Sequence, residues 1–323
     1  MRAIVQDRYG SPDVLRLEEI DTPAVGDDGV LVRVHAAAIG AATWHLMAGL
    51  PYVVRISGYG LRRPRIRVPG TDLAGRVEAV GADVTRFKPG DEVFGECEGS
   101  LAEYACAPED KLMPKPASLT FDQAGAVVDS GHTALVGLRD VAKVQPGQKV
   151  LVIGAGGGVG TFAVQIAKAL GADVTGVCST SKTDLVLSLG ADYAIDYTRE
   201  DFADGRRRWD VIFDTAGRRS LSHLRRGLTP RGTLVIVGGE GGGRWMGGTD
   251  RQICALLMSG FLQQKLRTFV SMPKIEGLAA LAGLLDSGKV TPVIDRTYEL
   301  SEAPEAIRYW ARGHTRGKVV VTV

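Results

Sequence analysis

One glycine-rich turn carries the clearest chemical signal in the chain. Val150-Leu151-Val152-Ile153 is an apolar run, Gly154-Ala155-Gly156-Gly157-Gly158-Val159-Gly160 follows it, and a helical pattern begins at Gly160. Within the turn, Ala155-x-Gly157-x-x-Gly160 has dinucleotide-binding spacing, with alanine in the first place. Glycine allows backbone angles closed to other residues, and missing side chains let backbone N–H groups approach a pyrophosphate. A helix N-terminus adds partial positive charge there. A purely structural turn has the same composition, but the strand before it and the helix and second strand after it favour the dinucleotide. A Walker-type loop is excluded, because no Gly-Lys-Ser/Thr closes the turn.

The next strand bears on which dinucleotide is bound. Asp173–Val177 runs into Cys178-Ser179-Thr180-Ser181-Lys182. An NAD site usually carries an acid at the end of this strand for the ribose 2′-OH, and Asp173 stands at the wrong end. Hydroxyls and an ammonium group suit a 2′-phosphate instead, which points to NADPH. The competing reading is that Ser179–Ser181 only cap the next helix, and nearby Asp184 counts against a phosphate.

These groups need a parallel sheet to hold them. From about Phe121, strand-like runs (Lys149–Ile153, Asp173–Val177, Tyr193–Ile195, Val211–Asp214 and Thr233–Val237) alternate with helical patterns such as Gly160–Leu170 and Thr183–Leu189. Such alternation predicts an α/β fold with a doubly wound parallel sheet. The first third reads differently. Val30–Ala36, Leu73–Val80 and Glu92–Phe94 are short strands bounded by Gly, Pro or Asp, which suggests a small β-barrel-like domain. A helix is expected over Lys274–Ser287, and Lys318–Val323 is a lone strand that could rejoin the first domain.

Composition narrows the class. A length of 323 residues makes two domains the prior, and a net charge of +2 gives no bulk field for nucleic acid or a membrane surface. Arg206-Arg207-Arg208 and Arg218-Arg219 read as solvated edges. Glycine is enriched, 42 of 323 residues, but follows no collagen period. Cys97, Cys106, Cys178 and Cys254 form no C-x-x-C pair, so reduced thiols in a cytoplasm are expected. The N-terminus goes straight into a strand-like pattern without a signal-peptide core, and glycines break the one long uncharged stretch, Val150–Ala167.

The chain resembles the medium-chain dehydrogenase/reductase superfamily, in its zinc-independent quinone-oxidoreductase-like branch. The resemblance rests on Gly70-Thr71-Asp72-Leu73-Ala74-Gly75, Lys88-Pro89-Gly90-Asp91-Glu92-Val93-Phe94-Gly95, Gly131-His132-Thr133-Ala134 and the Gly154–Gly160 turn. Leu189-Gly190-Ala191-Asp192 and Gly317-Lys318-Val319-Val320 add to it. It implies a GroES-like β-barrel substrate domain over 1–121, rejoined by 290–323, and a Rossmann domain over 122–289. It also implies NADPH in a cleft between the two, and a homodimer. Zinc-dependent relatives place Cys near Ile39-Gly40-Ala41-Ala42 and His-Glu at Thr71-Asp72, so no metal is expected here. Position by position, Thr133 matches a contact to the nicotinamide-side phosphate or ribose. Gly157, Gly158 and Val159 match the pyrophosphate turn, and Ser179 and Lys182 the 2′-phosphate site. Tyr197 matches an aromatic at the adenosine end, Gly238 and Gly239 the loop near the nicotinamide ribose, and Phe269 and Val270 the backbone at the carboxamide. Relatives often carry Asn and Asp where Gly40 and Thr43 stand, proline at Val128 and a neutral residue at Asp129.

Hydride transfer without a metal needs an acceptor activated by conjugation, a quinone or an α,β-unsaturated carbonyl. Charge then develops on the carbonyl oxygen, which needs a hydrogen-bond donor and a proton. Tyr52 matches a tyrosine on the substrate side of relatives and is the candidate donor, with packing in a loop as its alternative. Thr43, Trp44 and His45 fall in the segment expected to wall the substrate cleft, and a lone histidine is as readily structural. Asp129 either accepts a hydrogen bond in the cleft or caps a helix. Trp245, in the loop Gly238–Gly248, lies over the nicotinamide if that loop is a lid, and on the surface otherwise. The expected function is an NADPH-dependent oxidoreductase of small molecules. The alternative is a non-catalytic NADPH-binding redox sensor or scaffold.

Overall fold

The structure is a computed structural model that describes residues 1–238 and 243–323. Its first stretch contains β1 (Arg2–Val5), β2 (Arg16–Glu19), β3 (Gly29–Ile39), α1 (Ala41–Ala48), the short α2 (Tyr52–Val54), β4 (Asp72–Val80), β5 (Glu92–Glu96), β6 (Tyr104–Pro108), β7 (Leu112–Pro114), α3 (Phe121–Gly125) and α4 (Val128–Leu135). There follow β8 (Lys149–Ile153), α5 (Gly158–Ala169), β9 (Asp173–Cys178), α6 (Thr183–Ser188), β10 (Tyr193–Asp196), β11 (Trp209–Asp214), α7 (Leu221–Gly227), β12 (Leu228–Ile236), α8 (Thr249–Ser259) and β13 (Lys265–Thr268). The chain ends with α9 (Ile275–Asp286), β14 (Ile294–Glu299), α10 (Ala303–Ala311) and β15 (Lys318–Thr322).

By internal contacts the chain forms two units. One is Met1–His132, Pro273–Ser287 and Pro292–Val323; the other is Thr133–Met272 and Gly288–Thr291. The first unit therefore takes in α3, the start of α4 and α9, segments that the sequence pattern groups with the dinucleotide-binding domain. Packing explains this placement. The carbonyl of Ala36 on β3 lies where a side chain on Gly125 would be, and Leu281 of α9 lies against Gly131.

In the first unit, β3 is the hub of a seven-stranded sheet ordered β14-β15-β3-β4-β5-β7, with β6 also on β3. Its apolar residues are buried almost without a break, since both faces are covered. The C-terminal strand pairs antiparallel with its end, Val319 opposite Ile39. Val32, Val34, Met47, Leu73, Ile307 and Val321 belong to the core on this sheet.

The second unit is a six-stranded, all-parallel sheet ordered β10-β9-β8-β11-β12-β13. That order reverses direction between β8 and β11, the place where doubly wound sheets bind nucleotides. Leu151, Val177, Ile212, Leu234 and Leu266 lie in its core. β12 starts at Leu228, earlier than its apolar run predicts, because Trp209 pairs with Leu228 across a register shift. β13 and β14 escape the apolar pattern because charged residues interrupt them, Lys265 and Arg267 in β13 and Asp295, Arg296 and Glu299 in β14.

Candidate active site

The carboxyl ends of the parallel strands carry the residues expected to hold a dinucleotide. Gly154 follows β8 with φ +83, and its N–H and that of Ala155 both donate to the Val177 carbonyl, at 3.0 and 3.1 Å. Gly157 is the N-cap of α5, with Gly158 and Val159 in its first turn; no side chain caps this end and no acid stands in that turn. The first N–H groups are thus free of side-chain partners and suit an anion. A Cβ on Gly160 would lie 2.0 Å from the Gly154 carbonyl oxygen, so only glycine closes the turn. A Cβ on Gly156 would lie 2.7 Å from Lys182 Cδ, which puts the Lys182 side chain directly across the turn. The cradle fits a dinucleotide phosphate.

The helix-cap alternative for the serines finds no bond to support it. Ser179 precedes a single 3-10 turn, Thr180–Lys182, without a side-chain cap bond, and Lys182, the N-cap of α6, makes none either. Ser179 Oγ and Ser181 Oγ lie 3.4 Å apart. Tyr197 is half exposed beside them, its N–H donating to the Cys178 carbonyl at 3.1 Å. Asp196, which the sequence reading passes over, accepts from Thr180 Oγ1 and, at 2.7 Å, from Thr198 Oγ1. Those bonds hold its carboxyl below the usual range. Its signal was an acid closing the third parallel strand.

Gly238 sits at the end of β12, where a Cβ would meet the Thr215 carbonyl oxygen at 2.6 Å. Gly239 lies outside the described residues, as does part of the Gly238–Gly248 loop. Trp245, in the described part, is 73% exposed. Phe269 lies against Gly137, Val270 is exposed and Thr133 is buried in α4. Also unforeseen is fully buried Asp214, which accepts the Ala216 and Gly217 N–H groups, both at 3.2 Å, and pairs with Arg251. It fixes the turn after β11.

The first unit assembles a second polar cluster around the end of β3. Ala38 of β3 lies opposite Asp72 of β4, and the neighbouring Ile39 opposite Val319 of β15. Asp72 and Lys318 therefore flank the same strand end, each only 2% exposed. Lys318 Nζ donates to Ser130 Oγ at 3.0 Å. Asp72 Oδ2 accepts the Asp129 N–H at 3.2 Å, and its Oδ1 accepts from Thr71 Oγ1 at 3.1 Å. Burial pushes the Asp72 carboxyl up to about 7, opposed by the Lys318 charge and reinforced by that of Asp129. A Cβ on Gly40 would lie 3.5 Å from Asp129 Oδ2 and 3.6 Å from Lys318 Nζ. Asp129 is thus in the first turn of α4, its main chain tied to this cluster.

The remaining candidates have packing partners of their own. Tyr52 lies under the Arg55 guanidinium, 4.8 Å from the ring centre, and Tyr9 takes the same guanidinium at 4.4 Å. His45 Nδ1 donates to the Leu50 carbonyl at 2.6 Å. Trp44 packs on Trp310, 6.4 Å between ring centres. Thr43 is 1% exposed and its hydroxyl has no partner among the described residues. Among those residues, no three His, Cys, Asp or Glu side chains converge as a metal-ligand set.

Comparison with known proteins agrees with this geometry. Residues 26–117 match the family model described as the alcohol dehydrogenase GroES-like domain. Residues 189–321 match one described as a zinc-binding dehydrogenase. The chain is 34% identical to the 2-methylene-furan-3-one reductase of Solanum lycopersicum, over 99% of this chain and 79% of that protein. It is also 34% identical to the NADPH-dependent alkenal/one oxidoreductase of Arabidopsis thaliana, with the same coverage. The solved quinone oxidoreductase of Coxiella burnetii superposes with a TM-score of 0.87 at 28% identity, covering 100% of this chain and 99% of that one.

Proposed function

The chain belongs to the medium-chain dehydrogenase/reductase superfamily, in its quinone-oxidoreductase-like branch, and from that membership we propose an NADPH-dependent reductase of quinones and α,β-unsaturated carbonyls. A nicotinamide cofactor follows from the membership. The preference for NADPH rests on Lys182, whose side chain crosses the phosphate turn at Gly156, and on the Ser179 hydroxyl, which caps no helix.

The cofactor supplies a hydride to an electron-poor carbon of the acceptor. The chain's own groups do the holding. The N–H groups at the start of α5 bind the pyrophosphate, Lys182 and Ser179 the 2′-phosphate, and Tyr197 lies along the adenosine. Zinc independence is supported by the donor set: glycine at 40 and threonine at 71 offer neither thiolate nor imidazole, and the ammonium of Lys318 fills the charged position beside them. Acceptors conjugated enough to take hydride without a metal are the corollary.

Self-association as a homodimer is part of the proposal. Among the described residues β13 ends the parallel sheet with an unpaired edge, and nearby Leu257 and Phe261 are 67% and 92% exposed. Cytoplasmic residence is proposed on the free state of Cys97, Cys106, Cys178 and Cys254.

Steady-state assays of NADPH and NADH with 1,4-naphthoquinone and 2-cyclohexen-1-one test the reading. Turnover of one acceptor class with a lower KM for NADPH is expected. Saturable NADPH binding without turnover of either would support the sensor or scaffold alternative instead.

A further inference from the structure

The parallel sheet of the second unit has two faces, and the core containing Ile212, Leu234 and Leu266 covers one of them. Leu234 of β12 and Leu266 of β13 stand opposite each other in register, as do their neighbours Thr233 and Lys265. Side chains alternate along a strand, so Thr233 and Lys265 project from the other face. Two residues away in each strand, Arg231 and Arg267 share that face. Phe213, next to Ile212 on β11, projects the same way. A helical turn, Val136–Val141, lies on this face, with its Gly137 against Phe213 and Phe269. Beyond the end of that turn a groove of about 720 Å3 remains, from Gln148 and Asp210 at the amino ends of β8 and β11 along β12 and β13.

The charged side chains lining the groove divide unevenly. Asp140 is held by Arg139, at 2.7 and 2.8 Å, and Asp210 accepts the Lys149 N–H at 3.0 Å. The others are cations, Lys143, Arg231, Lys265 and Arg267, all exposed, and none has an ion-pair partner among the described residues. Elsewhere on the surface, exposed Arg16, Arg67 and Arg76 each hold a carboxylate. On a chain whose net charge is only +2, this is a local concentration of uncompensated positive charge.

Lys143 strengthens the case. Its φ is +55, in the left-handed region that favours glycine, and it directly follows Ala142, the C-cap of the helical turn. Glycine is the usual residue at that place. Lysine there keeps a cation at the groove against the preference of the backbone.

We propose that this groove is a second anion site, which binds a chain of phosphates through Lys143, Arg231, Lys265 and Arg267. The proposal goes beyond the reductase reading and does not depend on it. Arginine forks match phosphate oxygens in pairs, and lysine adds a point charge. Several cations around one groove call for several phosphates rather than one. Thr233 and Thr268 add hydroxyls to the lining, which can donate to the same oxygens. The volume falls within the range of small-ligand sites, about 300–1,000 Å3. β8 is five residues long, so the phosphate turn at its carboxyl end lies about 15–20 Å from Gln148. The groove and that turn are therefore separate sites on one sheet. Edge pairing of β13 in a dimer would use its outward main-chain groups, not this face.

Calorimetric titration of the full-length protein with inorganic tripolyphosphate, in saturating NADPH, tests the site. One tripolyphosphate per chain is expected, with orthophosphate much weaker and added salt lowering the affinity. The double variant Lys143→Gly/Arg231→Ala should bind tripolyphosphate about tenfold or more weakly, with NADPH Kd and far-UV circular dichroism unchanged. Glycine suits the backbone at 143, so this loss is not a loss of fold. Lys265→Ala/Arg267→Ala should behave likewise, and Lys182→Ala should leave tripolyphosphate affinity within about twofold. ATP titrated in the same way separates the sources of the phosphates. Affinity equal to that of tripolyphosphate supports recognition of the phosphate chain alone, and tighter binding supports a nucleotide. No saturable binding of tripolyphosphate, or binding that Lys182→Ala removes and the groove variants keep, overturns the proposal. A protein that binds no NADPH would overturn the reductase reading, and the groove variants would still decide the second site.

Discussion

At the scale of single residues, Lys182 is the proposed determinant of cofactor choice. Its stem crosses the turn at Gly156, on the loop where a phosphorylated ribose would bring a phosphate to its ammonium. Lys182→Ala should weaken NADPH about 10–100-fold and NADH hardly at all, as titrated by fluorescence. Equal loss for both would show that Lys182 meets no 2′-phosphate. Tyr52 is the donor candidate read from the sequence. Its ring is engaged by the Arg55 guanidinium at 4.8 Å. Tyr52→Phe should therefore keep kcat within about threefold, whereas losing a true oxyanion donor costs about 100-fold. Lys182 was legible in the sequence because it follows its strand by a few residues. The proximity of Asp72 and Lys318 was not, because β3 alone brings those distant positions together. Neither residue type nor local spacing carried a signal for Arg55.

At the scale of elements, the turn between β8 and α5 is closed by contact rather than by flexibility. Gly160→Ala would drive a methyl into the Gly154 carbonyl, at a cost of about 1–3 kcal/mol of stability. It should weaken NADPH and NADH alike, unlike Lys182→Ala. At the end of β3, the raised Asp72 carboxyl has a consequence for stability. The folded state holds this proton up to about pH 7, whereas an unfolded carboxyl loses it near its ordinary value of 3.8. Between those values the folded state binds more protons, so this group's contribution declines as pH rises. Thermal melts of wild type and Asp72→Asn should show that decline in wild type only. A wild-type profile parallel to the variant's would deny the shift. The parallel strands were readable because each is a short apolar run bounded by turn residues. β13 and β14 were not, since interspersed charges hide a strand at a sheet edge.

At the scale of the molecule, the α/β class follows from apolar patterning, which also marks a lone C-terminal strand whose place on the first sheet the pairing with β3 supplies. The extent of each unit does not. α9 and the start of α4 join the first unit through contacts such as Leu281 on Gly131, which no local pattern encodes. Exposed Leu257 and Phe261 near the β13 edge predict self-association. Wild type should sediment as a dimer and the double variant Leu257→Asp/Phe261→Asp as a folded monomer. A monomeric wild type would remove that part of the proposal.

The central claim is hydride delivery from a nicotinamide to a conjugated carbonyl without a metal. It is tested most directly with NADPH deuterated at both C4 positions and 2-cyclohexen-1-one, in the presence of a strong zinc chelator. Mass and NMR analysis of the product should find one deuterium on the β-carbon of cyclohexanone, formed at an unreduced rate. Cyclohexanone without label, or turnover that stops on chelation, would contradict the account.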